Sequence, residues 1–168
     1  MTIIREERQD DAERIRAVNL AAFDTTVEAD LVDALRERAT PLISLVAEDD
    51  GKIIGHILFS PVTLANNPTL ALMGLAPMAV LPPRQRQRIG SRLVREGLER
   101  CRDLGAAAVV VLGHPEYYPR FGFSSAARLS LSTEYDVPDD AFMIRELRAG
   151  ALSGLSGLIR YHPVFADF

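Results

Sequence analysis

Between Leu70 and Leu112 the residues follow an order that few folds accept. An apolar run, Leu70–Leu81, ends in Pro82-Pro83 and an arginine-rich loop follows. An amphipathic segment over Ile89–Leu104 places Ile89, Leu93, Leu98, Cys101 and Leu104 on one side, and Gly105 stops it. Ala106–Leu112 is then an unbroken Ala/Val/Leu stretch, the composition of a strand covered on both faces. Strand, helix and strand joined by short links form a parallel crossover, which is almost always right-handed.

The residues before this unit read differently. Asp10 with Glu13 predicts a capping box that opens a helix carrying Ala12, Ile15, Asn19, Ala22 and Phe23 inward. A second helix is predicted over Val27–Arg38, with Val27, Leu31, Val32 and Leu35 on one face and Thr40-Pro41 as its stop. Leu42–Glu48 and Lys52–Leu64 read as strands around an Asp49-Asp50-Gly51 turn, and Asn66-Asn67-Pro68 turns the chain into Leu70–Leu81. That is an antiparallel meander. Further on, a short turn is expected at Glu116–Arg120. Strands are expected at Phe121–Thr133, Ala141–Leu147 and Leu158–Val164, with a Gly/Ser-rich link from Gly150 to Gly157. The fold class is therefore α+β (mixed α/β). One domain over residues 1–168 holds a central, mostly antiparallel mixed sheet with one parallel βαβ crossover and helices on both faces.

Charge narrows the partners. Arg84, Arg86, Arg88, Arg92 and Arg95 cluster in the loop and first helical turns with no acid before Glu96, and the chain's net −4 becomes −9 once they are set aside. One positive spot on an acidic chain suits an anion of limited size and argues against a general nucleic-acid binder. The N-terminal residues show no apolar leader segment and the apolar runs are too short to span a bilayer, so no membrane partner is expected. A single cysteine, Cys101, excludes an internal disulfide and fits a reducing cytoplasm. No metal-ligand pattern is present.

Backbone N–H groups at the start of a helix, beside several cations, can receive an anion. A solvated arginine cluster ahead of an ordinary helix has the same sequence. A dinucleotide-binding turn would need three spaced glycines, and only Gly90 is present. Pro77 cannot donate to a ladder, so it predicts a bulge or a local parting of strands that leaves the N–H groups of Met78, Ala79 or Val80 for a ligand. A strand that simply starts after Pro77 is the alternative.

The pieces together resemble a known family. Gln85-Arg86-Gln87-Arg88-Ile89-Gly90, the helix and Ala/Val strand after it, and Tyr118-Pro119-Arg120-Phe121-Gly122-Phe123 are similar to the GNAT superfamily of acetyl-CoA-dependent N-acyltransferases. The similarity covers about residues 2–133. Val109–Tyr118 and the C-terminal pattern resemble a YhbS-like bacterial branch of it, so the residues beyond about 134 carry less of the resemblance. The chain departs from the pattern at Arg88, which stands where the superfamily's motif has its first glycine.

What the resemblance implies is an enzyme with acetyl-CoA as co-substrate, moving acetyl by direct attack to a primary amine of a small molecule or peptide. Gln85, Arg86, Gln87, Arg88, Ile89, Gly90 and Ser91 would hold the pyrophosphate, and a main-chain N–H near Ala79 or Val80, beside Met78, would meet the acetyl carbonyl. Tyr118 is the implied general acid; packing against Phe121 and Phe123 is its other reading. Glu28, His56 and His114 are the candidates for a base. His56 can equally be a core residue with a hydrogen-bond partner, and Glu28 an ordinary first-turn acid. Cys101 falls on the buried helix face, so no acyl-cysteine is expected. A non-catalytic CoA-binding or acyl-CoA-sensing module, or an interaction domain, is the alternative. Whether the chain pairs as a homodimer stays open.

Overall fold

The computed structural model describes every residue from Met1 to Phe168. In chain order the elements are β1 (Thr2–Glu6), α1 (Ala12–Ala22), α2 (Val27–Arg38), β2 (Ile43–Asp49), β3 (Lys52–Leu64), β4 (Asn67–Val80), α3 (Ile89–Leu104) and β5 (Ala108–Leu112). Four short strands follow: β6 (Ser124–Ser125), β7 (Leu131–Thr133), β8 (Phe142–Glu146) and β9 (Gly157–Arg160). The strands bond in the order β1-β2-β3-β4-β5-β8-β6, and β9 pairs with both β3 and β7. No helix is long and apolar enough to cross a membrane. The chain forms two compact units, one of Met1–Ser60, Ala76–Gly97 and Pro163–Phe168, the other of Pro61–Leu75 and Leu98–His162.

In the first unit, β1, β2 and β3 pair antiparallel, Ile4 opposite Ala47 and Leu45 opposite Ile57. The β2–β3 turn has positive φ at both Asp50 (53°) and Gly51 (76°), the two-residue geometry whose twist matches paired strands. Side chains alternate along β3, and that period of two sorts the helices to opposite faces. Gly55 lies against Ile89 and Leu93 of α3, and Phe59 packs onto Gly97 of the same helix. Leu58 points the other way, into a cluster with Ile15 and Val18 of α1 and Leu31, Val32 and Leu35 of α2.

Three expectations for this unit need correction. Strand β1 was not foreseen, because Arg5 and Glu6 break its apolar pattern as an edge strand tolerates. Asp10 is exposed and does not cap α1. Asp11 precedes the helix but its side chain does not cap it either: a 3-10 turn over Gln9–Asp11 leads into α1, and the Asp11 carboxylate accepts the Arg8 N–H at the start of that turn, at 2.7 Å. Val27 is 40% exposed, so the inner face of α2 is Ala29, Leu31, Val32 and Leu35.

The second unit holds the crossover partner. Leu72 to Leu75 of β4 run parallel to Ala108 to Val111 of β5, as the strand–helix–strand order predicts. That ladder ends at Leu75, just before Pro77, and β4 continues to Val80 outside it. The parting of strands expected at Pro77 thus takes the form of a ladder that stops short. At the end of α3, Gly105 (φ 95°) closes the helix. Its N–H reaches Arg102 O at 3.0 Å and the Ala106 N–H reaches Cys101 O at 3.1 Å, a Schellman motif. Leu98 and Cys101 are buried, but Leu104 is half-exposed at the helix end, against its expected inward place.

The expected strand Phe121–Thr133 is not continuous. Phe121 closes a 3-10 turn over Tyr118–Phe121, Gly122 reverses the chain at φ 88°, and a second 3-10 turn over Ala126–Leu129 separates β6 from β7. The last strand ends at Arg160 instead of Val164, and residues Pro163–Asp167 form another 3-10 turn. Phe121, Phe123, Ala126, Leu131 and Val164 are buried there as strands would bury them, so the apolar pattern could not separate turns from strands.

Candidate functional site

The arginine-rich loop belongs to the first unit. Pro82–Arg84 form a 3-10 turn, Gln85 is extended, and Arg86 and Arg88 both take the left-handed conformation, at φ 64° and 67°. Left-handed residues between right-handed or extended ones turn successive N–H groups toward a common concavity, which suits an anion. The first helical bond of α3 runs from the Arg92 N–H to Arg88 O at 3.1 Å, so the N–H groups of Ile89 and Gly90 precede the helical ladder. Gln85 and Gln87 hold the loop's shape, donating to Val80 O at 3.0 Å and Pro83 O at 3.4 Å.

The four arginines from Arg84 to Arg92 do not act alike. Arg84 turns away, its Nη1 3.0 Å from Asp49 and its Nε donating to Gln87 Oε1. Arg92 donates to Thr2 O at 3.0 Å. Arg86 and Arg88 are exposed and make no ion pair with the protein. The cationic spot is therefore centred on these two, a smaller patch than the sequence suggested. It fits a diphosphate: two cations without an ion-pair partner on a loop in which Arg86 and Arg88 are left-handed. Arg88 also explains the family's glycine, since its φ is one that glycine adopts without cost. Met78, Ala79 and Val80 close β4 beyond the β5 ladder, Ala79 buried and its neighbours half-buried.

His56 lies in the same unit, on β3, with no exposed surface. Its Nδ1 is 3.3 Å from Asn19 Nδ2 and its Nε2 is 2.9 Å from Ser44 Oγ. Asn19 Nδ2 also donates to Ile15 O, which orients the amide and makes Nδ1 an acceptor. Nε2 then carries the proton and donates to Ser44, whose hydroxyl donates to Glu7 Oε1 at 2.8 Å. Arg36 completes the chain with two bonds to Glu7, at 2.9 and 2.8 Å. Burial pushes the imidazole down to about 4, so it stays neutral. Burial alone would raise Glu7, but Arg36 and Ser44 hold its carboxyl below the usual range. Both ring nitrogens are occupied in a closed network, which is the core alternative for His56. Asn19, Ser44, Glu7 and Arg36 could not be linked to it from sequence, since they come from four separate elements and loops. Glu28 stands in the first turn of α2, half-buried, accepting from Thr25 Oγ1 at 3.4 Å.

Tyr118 is in the second unit. Its N–H and that of Tyr117 both reach His114 O, so the turn after β5 sets the ring's position. The ring is enclosed by Tyr117 at 5.1 Å and Phe123 at 5.7 Å, edge to face, with Phe121 at 6.3 Å. Gly113 lies directly under it, with no room for a Cβ. The hydroxyl makes no hydrogen bond to the protein, and burial together with Tyr117 pushes it up to about 12, so it keeps its proton. His114 is exposed and serves the turn through its carbonyl. Cys101 is fully buried and burial pushes its thiol up to about 12, as a core residue. Gly113 was not singled out from sequence, and its role is legible only from the ring above it.

The family model described as Acetyltransferase (GNAT) family matches residues 4–123. The chain is 40% identical over 167 residues to the uncharacterized N-acetyltransferase YhbS of Escherichia coli strain K12, covering 99% of each. A crystal structure of E. coli YhbS in complex with CoA superposes with a TM-score of 0.93 at 39% identity, over 99% of this chain and 93% of that one. A GNAT family acetyltransferase from Brucella melitensis in complex with acetyl-CoA gives 0.81 at 37% identity, over 98% of both.

Proposed function

The chain belongs to the acetyltransferase (GNAT) family, and we propose from that premise that it moves an acetyl group from acetyl-CoA to a primary amine of a small molecule or peptide. The observation that carries the proposal is the loop over residues 85–91, with Arg86 and Arg88 left-handed, unpaired and exposed. The relatives crystallised with CoA and acetyl-CoA support the same co-substrate here. Acetyl-CoA supplies the activated thioester. The chain's own residues do the rest. The N–H groups of Ile89 and Gly90, with Arg86 and Arg88, hold the diphosphate. Gln85 and Gln87 keep the loop in shape, and Ser91 stands in the same first turn. A main-chain N–H at Ala79 or Val80, beside Met78, stabilises the negative charge that develops on the carbonyl oxygen during acyl transfer.

Tyr118 is the proton source for the leaving sulfur. Its ring is fixed on every side, its hydroxyl has no competing partner, and it stays protonated across the physiological range. His56 is left out of the reaction, because both of its nitrogens are engaged and it has no surface. Glu28 and His114 are the groups to which water can carry the proton that the amine gives up. The catalytic domain spans residues 1–168, in the cytoplasm, where its single thiol stays reduced.

Release of free thiol from acetyl-CoA over a panel of amines tests the reading. The wild type is expected to turn over, and Tyr118→Phe to lose about a hundredfold in kcat with CoA affinity unchanged. Arg86→Ala with Arg88→Ala is expected to weaken CoA binding instead. Tight CoA binding with no thiol release from any amine would favour the non-catalytic module.

A further inference from the structure

The turn that carries Tyr118 is tied to the sheet at a point away from the ring. Tyr118–Phe121 form a 3-10 turn, and at its end Arg145 Nη1 donates to Phe121 O at 2.6 Å. Arg145 stands on β8, opposite Val109 of β5 in an antiparallel ladder. Gly113, beneath the Tyr118 ring, follows directly on β5, and its N–H continues the pairing by reaching Ala141 O at 3.0 Å. One pair of strands therefore supplies both supports of the turn. Gly113 sets the ring from below, and Arg145 sets the end of the turn from the neighbouring strand.

Arg145 is half-buried and makes no ion pair. A cation drawn partly out of water without a carboxylate needs a neutral acceptor of good geometry, and a charged donor makes that bond a strong one. Gly122 gives it room. A Cβ at Gly122 would stand 2.8 Å from both Cδ and Nε of Arg145, and the φ of 88° favours glycine there in any case. The glycine of the Tyr118-to-Phe123 motif thus clears the path by which the guanidinium reaches Phe121 O.

The other arginine at the turn works differently. Arg120 lies over the Tyr117 ring, 4.5 Å from its centroid, and its Nε donates to Tyr117 O at 2.8 Å. It is exposed and belongs to the turn itself, so it stiffens the turn without fixing its place on the sheet.

We propose that Arg145 is a positioning residue for proton transfer: through Phe121 O it fixes where the Tyr118 turn, and with it the Tyr118 hydroxyl, stands over the β5–β8 pair. It acts through the turn and not on the reacting atoms. This rests on the reading of Tyr118 as the proton source for the leaving sulfur.

Arg145→Met keeps an unbranched stem and removes the donors. It is expected to lose about tenfold in kcat for thiol release, with KM for acetyl-CoA within about twofold of wild type. Arg145→Lys, which keeps a charged donor, should stay within about threefold in kcat. In a Tyr118→Phe background Arg145→Met should cost nothing further, because the group it positions is gone. An arginine that only stabilises the fold would cost the same factor in both backgrounds. Equal losses in the two backgrounds, or an unchanged kcat in Arg145→Met, overturn the proposal. If Arg145→Met does not fold, Arg145→Gln carries the same comparison.

A second readout needs no turnover. In protein labelled with 3-fluorotyrosine, the fluorine resonance lost in Tyr118→Phe identifies Tyr118 among the four tyrosines. That resonance is expected to move or split in Arg145→Met and to return in Arg145→Lys; a resonance that stays in place overturns the proposal. Silence of the wild type toward every amine, or an unchanged kcat in Tyr118→Phe, overturns the reading on which it rests instead. The fluorine resonance then decides the placement of the turn alone.

Discussion

Tyr118 rests on Gly113 so closely that the backbone there has room for a hydrogen and nothing larger. The ring's place is therefore set from below by the absence of a side chain and from the sides by Tyr117 and Phe123. Gly113→Ala is expected to lift the ring and cost about a hundredfold in kcat, since a displacement near 1 Å is worth that much. CoA affinity should not change. Steady-state rates beside a CoA titration check this, and an unchanged kcat would remove Tyr118 from proton transfer.

Arg88 raises a separate question, because a left-handed residue with a Cβ is strained. Arg88→Gly should stabilise the protein by about 1 kcal/mol in urea unfolding. The N–H stays where it was, so CoA binding should hold within about threefold and become less sensitive to salt as one cation is lost. A loss beyond tenfold would mean that the guanidinium, and not the backbone, anchors the diphosphate.

Acid should unfold the protein in two stages. His56 is pushed from 6.5 down to about 4, so the unfolded chain binds its proton first, and stability falls as pH drops from about 6.5 through about 4. Asp11 is held down to about 2 against its usual 3.8, first by the hydrogen bond from Arg5, so its contribution is present above 3.8 and fades as pH falls through about 2. Urea midpoints measured across pH should lose the upper step in His56→Gln and the lower step in Asp11→Asn. The Asp11 carboxylate is fully buried, 2.7 Å from Arg5 and 2.6 Å from Arg14, so Asp11→Asn should also cost about 3–5 kcal/mol at neutral pH.

Gly97 offers a test of the helix–sheet contact. Alanine is ordinarily the better helix residue by about 1 kcal/mol. Here a Cβ would enter the Phe59 ring, so Gly97→Ala is expected to destabilise by about 1–3 kcal/mol net. Adding Phe59→Leu should restore part of that loss. Thermal unfolding of the two single variants and the double variant measures the coupling.

Much of the architecture was legible because it depends on local patterns. The limits of α2 and α3, the Asp50-Gly51 turn, the Gly105 stop and the parallel β4–β5 pairing all follow from periodicity, turn chemistry and the order of elements. Strand β1 was not, since at an edge its charged residues face water and leave no period to read. The stretch from Phe121 to Thr133 failed for the opposite reason: turns bury apolar side chains as well as strands do.

The site divides along the same line. Sequence by itself determined the loop of Gln85–Arg88 ahead of a helix, the tyrosine after the buried strand, and a buried Cys101, because each is a statement about neighbours along the chain. Only the tertiary structure decided which arginines remain for a ligand, since Asp49 and Thr2, distant in sequence, claim Arg84 and Arg92. It also closed His56 inside Asn19, Ser44, Glu7 and Arg36, and set Gly113 beneath Tyr118. Hydrogen bonds and packing act over a few ångströms in space whatever the separation along the chain, so a residue's chemistry is written in the sequence and its availability is settled by the fold.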